Sequence, residues 1–292
     1  MSWIKRLFGK RATPLIDTAV WAQVLRGLPF LAALDENEHQ ALHALASEFI
    51  ACKAFSGAGG LELTDEVAAA IAAQACLPVL HLGLGMFDDF AEVVVYPGEF
   101  HVEREFVDDA GVVHDVSGPL SGEAMPGGPV VISWEDVAQG AADAHTPEAR
   151  PAYNVVIHEF AHKLDLASGE ADGLPRFHPR LHADIDHDDW CAVLDDAHAD
   201  FCAMVDRLEA RFPRHLDPES EAGRRHYDTL PLDAYGADDP AEFFAVATEA
   251  YFVAPQRLRE AFPALHAMLD RYYRPPLRAK PPSARSRSDN SD

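Results

Sequence analysis

Cysteine is scarce in this chain of 292 residues, which contains only Cys52, Cys76, Cys191 and Cys202. The four are far apart and none belongs to a CxxC motif, so their spacing does not indicate a disulfide framework. A chain of this length also buries enough apolar surface to fold without disulfides. We therefore expect all four cysteines to be free and buried as small apolar residues.

Long apolar runs are missing as well. No segment approaches the roughly 18–20 residues that a membrane-spanning helix needs. The first eleven residues, MSWIKRLFGKR, are basic, but they lack the apolar stretch of a signal peptide. We expect a cytoplasmic protein that has no membrane partner and begins with a flexible basic terminus over residues 1–14.

Basic residues are half as frequent as acidic ones, 24 against 48, which gives a formal net charge of −24. So acidic a chain binds phosphate backbones poorly, and this argues against a nucleic-acid partner. Local exceptions are the two ends of the chain. The C-terminal residues 274–292 are rich in Pro, Ser and Arg and nearly free of apolar side chains, so we predict a disordered tail there.

Hydrophobic periodicity divides the intervening residues 15–273 into helices, then strands, then helices. Helical spacing occurs twice in residues 17–49 and again in residues 65–76, 153–166, 188–212, 239–253 and 263–273. Strand patterns occupy residues 92–96, 100–107, 112–115 and 130–134. This order predicts an α+β domain, mostly helical with a small mixed β-sheet.

The motif HEFAHKLD, residues 158–165, carries the strongest chemical signal. On a helix, His158 and His162 project from one face a turn apart, so their imidazoles can share one tetrahedral Zn²⁺. Glu159 is placed to take a proton from a metal-bound water. The competing interpretation is a solvated helix face, but the apolar run at residues 155–157 indicates a helix buried on one side, where the metal satisfies these groups.

A catalytic zinc needs a third protein ligand. The segment DDPAEFF offers Glu242, with Asp239 as a good N-cap and Pro240 at the first helical position. Glu242 then falls at the third helical position, where it could instead close a capping box. Glu249 lies seven residues further on nearly the same face and is the rival ligand.

Taken together, HEFAHKLD and DAYGADDPAEFFAVATEAYF resemble the Mlc titration factor A (MtfA) family of zinc peptidases, as do LPVLHLGLGMFDDFAEVVVYPGEF and GPVVISWEDV. The resemblance extends over about residues 15–273. It implies a zincin-like fold, related to the anthrax lethal factor protease domain, with an HExxH active-site helix. It also implies that His158, His162 and Glu242 bind one Zn²⁺, that Glu159 is the catalytic glutamate and that Tyr235 is the active-site tyrosine.

Two further residues have open alternatives. Tyr235 could donate its hydroxyl to the oxyanion of a tetrahedral intermediate, or it could be an ordinary half-buried loop residue. Asp165, on the same helical face as His158, could hydrogen-bond a ligand imidazole or be a solvated carboxylate.

One other region is rich in potential ligands and raises the question of a second metal. Pro179 interrupts it and no apolar run fixes it in place, so we expect a solvated acidic loop instead. The residues concerned are His178, His182, Asp184, Asp186, His187, Asp188 and Asp189.

These features predict a zinc metallopeptidase in which Glu159 is the general base, with the family resemblance favouring aminopeptidase-like action on small peptides. By the same resemblance, the strand at residues 130–134 could be the edge strand that pairs with an extended peptide. A different class of function, implied by the family name, is a regulatory protein that sequesters a transcriptional repressor of glucose uptake. Hydrolysis of a non-peptide amide is a third possibility.

Overall fold

The structure is a computed structural model that describes residues 15–107, 113–146, 150–213, 215–217 and 220–276. The predicted flexible start, residues 1–14, lies outside the described residues, and so does the predicted tail from residue 277 onward. None of the helices within the described ranges combines the length and the apolar character needed to cross a membrane.

Three helices form the N-terminal part: α1 (Thr18–Gly27), α2 (Glu36–Cys52) and α3 (Asp65–Cys76). Each begins at a side-chain cap, because the first amides of a helix have no partner within the helix. Asp35 caps α2 and receives the N3 amide of Glu38, whose carboxylate accepts the Asp35 amide in return. The two predicted helices of residues 17–49 are thus present, separated by a 3₁₀ turn at Pro29–Ala33.

The strands form a four-stranded mixed sheet and a separate hairpin, and the first of them lies between α2 and α3 in the chain. In chain order the strands are β1 (Ala54–Gly57), β2 (Glu92–Tyr96), β3 (Phe100–Val107), β4 (Val113–Leu120), β5 (Gly122–Ala124) and β6 (Val130–Ser133). Strands β3 and β4 pair with each other, while the sheet has the order β1-β2-β6-β5. Its β1–β2 and β2–β6 pairs are parallel and its β5–β6 pair is antiparallel.

The sheet order corrects one expectation. Strand β6, at residues 130–133, is an interior strand with a partner on each side, and the edge next to it is formed by β5, with β1 at the opposite edge. All four residues of β6 are buried, as expected for an interior strand. The sequence analysis missed β5 because its three residues, Gly-Glu-Ala, have low β propensity and are too few to show alternation.

Seven helices complete the described part of the chain. They are α4 (Trp134–Asp143), α5 (Val155–Leu166), α6 (His187–Glu209), α7 (Glu221–Tyr227), α8 (Pro240–Val253), α9 (Pro255–Ala261) and α10 (Pro263–Tyr273). The α+β expectation is therefore confirmed. Helices α4, α7 and α9 were not predicted, and two of them have only seven residues, which is too short for a clear period.

Helix α5 separates the core from the cleft described below. Its Phe160 ring contacts three other buried phenylalanines, Phe49, Phe87 and Phe90, at centroid distances of 5.7, 5.2 and 5.9 Å. Edge-on aromatic packing of this kind adds to the free energy gained from burying the rings. Because this face is fixed against the core, the opposite polar face of α5 is held in one orientation.

The cysteine expectation is partly wrong. All four are free, but only Cys76 is buried, whereas Cys52 is exposed and the other two are intermediate. Cys52 is the last residue of α2, where its side chain faces solvent.

The histidine- and aspartate-rich segment of residues 178–189 is also not a simple solvated loop, because His182 is 3% exposed. Its Nδ1 accepts the His178 amide, and its Nε2 is 3.0 Å from the Tyr272 carbonyl oxygen, which can only accept. The ring stacks on Tyr272 at 4.4 Å. Both nitrogens are thereby engaged in tertiary structure, and within the described residues the segment contributes no metal-ligand group.

Burial of His182 makes a prediction about stability. Desolvation lowers the pKa of His182 to about 4 from 6.5, so between these values the unfolded chain binds a proton that the folded chain rejects. The free energy of unfolding should therefore fall as the pH drops from about 7 to about 4.

Urea denaturation of His182→Gln should show a shallower pH dependence over this range than the wild type. His187→Gln is the control, because His187 is exposed at the start of α6, and it should follow the wild-type slope. Parallel slopes for wild type and His182→Gln would contradict the assignment.

Candidate metal centre

Helix α5 contributes two imidazoles to the centre. Asn154 caps the helix by accepting the Ile157 amide at 2.9 Å, which fixes where the first turn begins. His158 and His162 then follow a turn apart, with their Nε2 atoms 3.1 Å from each other. Only 12% and 11% of their side-chain surfaces are exposed.

Helix α8 contributes a carboxylate. Asp239 caps this helix by accepting the amides of Ala241 and Glu242 at 2.8 and 2.9 Å, and Pro240 occupies the first position, as predicted. The Glu242 side chain does not close a capping box. Its Oε2 lies 3.0 Å from Nε2 of His158 and 3.3 Å from Nε2 of His162.

Glu249, the rival ligand, is on the other side of the first imidazole. Its Oε1 is 2.8 Å from Nδ1 of His158, and its Oε2 accepts the Asn154 amide. A carboxylate on Nδ1 favours a proton there, which would leave the Nε2 lone pair available to a metal ion in place of the hydrogen bond to Glu242. The side-chain amide of the buried Asn154 also donates, from Nδ2 to Oε1 of Gln74 at 2.7 Å. Helices α3, α5 and α8 are therefore joined at this point.

Carboxyl groups outnumber imidazoles at the centre. Burial raises the pKa of Glu159 to about 7, against the opposing effect of the two histidines. Burial acts in the same direction on Glu242, but hydrogen bonds from both imidazoles outweigh it and lower the pKa of Glu242 well below its ordinary value. Three carboxyl groups thus surround two imidazoles in a largely buried place, where a bound cation would satisfy both kinds of group.

The remaining candidates are placed differently. Tyr235 lies in a 3₁₀ turn, Ala234–Ala237, half exposed, with its ring 6.0 Å from the ring of His158. Asp165 is fully buried; its Oδ2 accepts the Gly173 amide at 2.8 Å, and its Oδ1 has no hydrogen-bond partner among the described residues. Neither oxygen of Asp165 has a described hydrogen bond to a histidine, and the side chain is buried, so it is neither a partner of a ligand imidazole nor a solvated carboxylate in this structure.

A cleft of about 560 Å³ opens in front of these groups. Strand β5 forms one wall, and the Tyr235 turn and the start of α8 contribute to the other side. Gly122 of β5 approaches Glu159 so closely that a Cβ at position 122 would lie 2.3 Å from Glu159 Oε1. Only glycine permits this approach between the edge strand and the carboxylate.

The donor set fits a metal ion. Within the described residues, His158, His162 and Glu242 form the only group able to hold one, with ligand atoms within 4.8 Å of one another. Two imidazoles and one carboxylate are a ligand set of catalytic zinc sites. No lysine or arginine lines the described cleft, so no side-chain cation competes for the carboxylates.

Comparison with known proteins agrees with a metal-dependent hydrolase. Residues 2–274 match the family described as glucose-regulated metallo-peptidase M90. The match covers nearly the whole chain, and the chain belongs to this metallopeptidase family.

The relatives give the family a more specific name. Mlc titration factor A of Pectobacterium atrosepticum is 38% identical over 267 residues, covering 89% of this chain and 88% of the relative. The protein of that name from Serratia proteamaculans is 36% identical over 268 residues, covering 91% and 90%. That of Klebsiella pneumoniae is 37% identical over 255 residues, covering 87% and 85%.

Sequence reasoning missed two features of the centre. Glu249 was considered only as a ligand, although a carboxylate seven residues after another on a helix can reach the far side of the same imidazole. Gly122 gave no signal, because a glycine in a polar stretch usually indicates a turn. Its importance depends on what the fold places opposite it.

Gly122→Ala should displace the Glu159 carboxylate, because the new Cβ would also lie 2.6 Å from both Cγ and Cδ of Glu159. A displacement of about 1 Å at a reacting group costs roughly 10²-fold in rate, so peptidase turnover should fall by about that factor. Metal content should not change.

Gly27→Ala is the matched control, since an added Cβ there meets nothing within 4 Å. Elemental analysis and steady-state kinetics on the purified variants check both points. Wild-type turnover in Gly122→Ala would show that the approach of β5 to Glu159 is not critical.

Proposed function

We propose that the protein is a zincin-like zinc metallopeptidase that holds one Zn²⁺ through His158, His162 and Glu242. The convergence of three donor atoms from α5 and α8 beside the buried carboxylate of Glu159 carries this proposal. Bound zinc supplies Lewis acidity, polarising the scissile carbonyl and lowering the pKa of a water. Glu159 is not one of the three ligands and is thus free for proton transfer.

The side chains of the chain itself have separate roles in this mechanism. Glu159 takes the proton of the attacking water and passes it to the leaving amine. Burial and the negative charge of Glu242 raise the pKa of Tyr235 well above its ordinary value, so its hydroxyl stays protonated at neutral pH. Tyr235 can therefore donate to the developing oxyanion from beside His158.

Strand β5, rather than β6, is suited to hold an extended substrate. Ser121, just before β5, accepts the Ser133 amide at 2.8 Å. In an antiparallel pair the bonded positions alternate, so the backbone groups of Gly122 and Ala124 point away from β6. No partner for these groups is found in the described part of the chain, so they can pair with a peptide in the cleft, a common mode of peptide recognition.

The cleft also favours short substrates with a free amino terminus. Beyond the three carboxyl groups at the centre, its lining includes Asp233 and Asp239, and no lysine or arginine is among the described lining residues. A peptide ammonium group is attracted to such a surface. Together with the limited volume, this supports aminopeptidase-like action on small peptides.

A second candidate function is sequestration of a transcriptional repressor of glucose uptake. The names of the relatives favour it, since each is called Mlc titration factor A. Binding of this kind needs a surface and no hydrolysis, so the two functions can coexist in one chain.

Glu159→Gln separates them. This variant should retain zinc and lose peptide hydrolysis, because it removes the base and no ligand. The measurements are zinc content, cleavage of a peptide library and binding of a purified repressor. Hydrolysis undiminished in Glu159→Gln would refute the mechanism, and repressor binding that persists without hydrolysis would establish the second function.

Glu242 and Glu249 can be compared through the same substitution. Glu249→Gln should weaken zinc binding by about 10–100-fold, as loss of an orienting carboxylate does, and Glu242→Gln should weaken it further because a charged ligand is lost. Competition with a chelator measures both affinities. Wild-type affinity in Glu242→Gln combined with loss in Glu249→Gln would reverse the two roles.

A further inference from the structure

Lys163 immediately follows the second histidine of α5 and is completely buried. Its ammonium group donates to the carbonyl oxygens of Met125 at 2.7 Å and Gly128 at 3.1 Å. These two residues delimit the turn between β5 and β6, which is closed by the Gly128 amide donating to Met125. Lys163 thus binds both ends of the turn that follows the edge strand.

The Lys163 ammonium group has further neighbours besides these two carbonyl oxygens. Asp89 Oδ2 is 3.5 Å away, and the ring of Phe90 lies 4.8 Å from Nζ. A buried cation is tolerated only where its donors are satisfied, and here the partners include two main-chain carbonyls of one turn. The position of the turn and the position of the lysine are consequently coupled.

The same face of α5 touches β5 at its other end. Glu159 and Lys163 are four residues apart, so they lie on one side of the helix. Glu159 packs against Gly122 at the start of β5, and Lys163 binds Met125 just beyond its end. One helix face therefore fixes the edge strand at two points.

We propose that Lys163 is a positioning residue. It holds the C-terminal end of β5 in the position that a peptide requires in order to pair with this strand. The inference rests on the proposed peptidase function. Gly122 determines the distance between β5 and the Glu159 carboxylate. Lys163 determines where the chain lies after Ala124, at the turn from Met125 to Gly128. Loss of Lys163 should therefore affect substrates that extend along β5 and spare those that end near Glu159.

Lys53 provides a matched control within the same cluster. Its Nζ lies 4.2 Å from the centroid of the same Phe90 ring. It donates to the carbonyl oxygens of Phe87 and Phe90, both at 2.6 Å, and has no described contact with the β5–β6 turn. Lys53→Met removes a similar ammonium group and a similar ring contact without releasing the edge strand.

The experiment compares Lys163→Met and Lys53→Met as zinc-loaded proteins. Amide hydrogen exchange over residues 122–131 should accelerate in Lys163→Met and stay near wild type in Lys53→Met. On peptides of increasing length, KM of Lys163→Met should rise about tenfold for peptides long enough to pass Ala124. The kcat for the shortest amide substrates and the zinc affinity should stay within about twofold of wild type.

Unchanged exchange over residues 122–131 in Lys163→Met, or an equal rise in KM for short and long peptides, would overturn the proposal. The exchange measurement does not need hydrolysis. It therefore tests whether Lys163 holds the β5–β6 turn even if no peptide is cleaved. Absence of cleavage in the wild type would instead contradict the proposed function.

If Lys163→Met does not fold, the wild-type protein still gives a test. If Lys163 holds the β5–β6 turn, the Gly128 amide should be protected from hydrogen exchange about as well as amides in the interior of α5. Opening the turn would require breaking the hydrogen bonds to Lys163. Exchange of that amide at the rate of an unprotected surface turn would refute the proposal that Lys163 holds the turn.

Discussion

The contact between α5 and α8 is the constraint on which the rest of the centre depends. The Glu242 carboxylate of α8 contacts the imidazoles of His158 and His162 on α5. A second carboxylate of α8, that of Glu249, contacts Nδ1 of His158 on the opposite side of the ring. Groups like these are expensive to bury without partners, so each one restricts where the others can lie. Asn154 extends the network to the start of α5 and to α3, so the ligand helix cannot rotate without breaking buried hydrogen bonds.

The sheet contributes through its edge. Strand β5 is short, yet it lies against the face of α5 that carries Glu159, because Gly122 has no side chain to keep the two apart. A peptide added to this edge would lie beside the Glu159 carboxylate, the proposed general base. The interior strand β6 has a separate role, since its Val130 and Ile132 join the sheet to the hydrophobic core.

Membership of the metallopeptidase family agrees with this arrangement, and the two proposed activities place different demands on it. Hydrolysis needs the cleft, the ligands and Glu159. Sequestration of a repressor needs an exposed surface, and it would leave the buried network of Gln74, Asn154 and Glu249 without a purpose beyond stability. The cost of burying that network is understandable if it orients a ligand imidazole.

The sequence by itself determined the α+β class, most of the long helices and the residues of the centre, because HExxH and the Asp-Pro-Ala-Glu cap are local patterns with local causes. The residue pattern alone left both Glu242 and Glu249 open as the third ligand, and the family resemblance favoured Glu242. Both lie on nearly the same face of α8, and the choice depends on which side of His158 each reaches. The edge strand was likewise beyond it, since an edge is defined by pairing between distant segments. Only the tertiary structure shows these points, because the contacts join segments that are separated in the chain. The distances that distinguish the two glutamates join residues 80 and 91 positions apart, and β6 is interior because Val93 of β2 pairs with Val130.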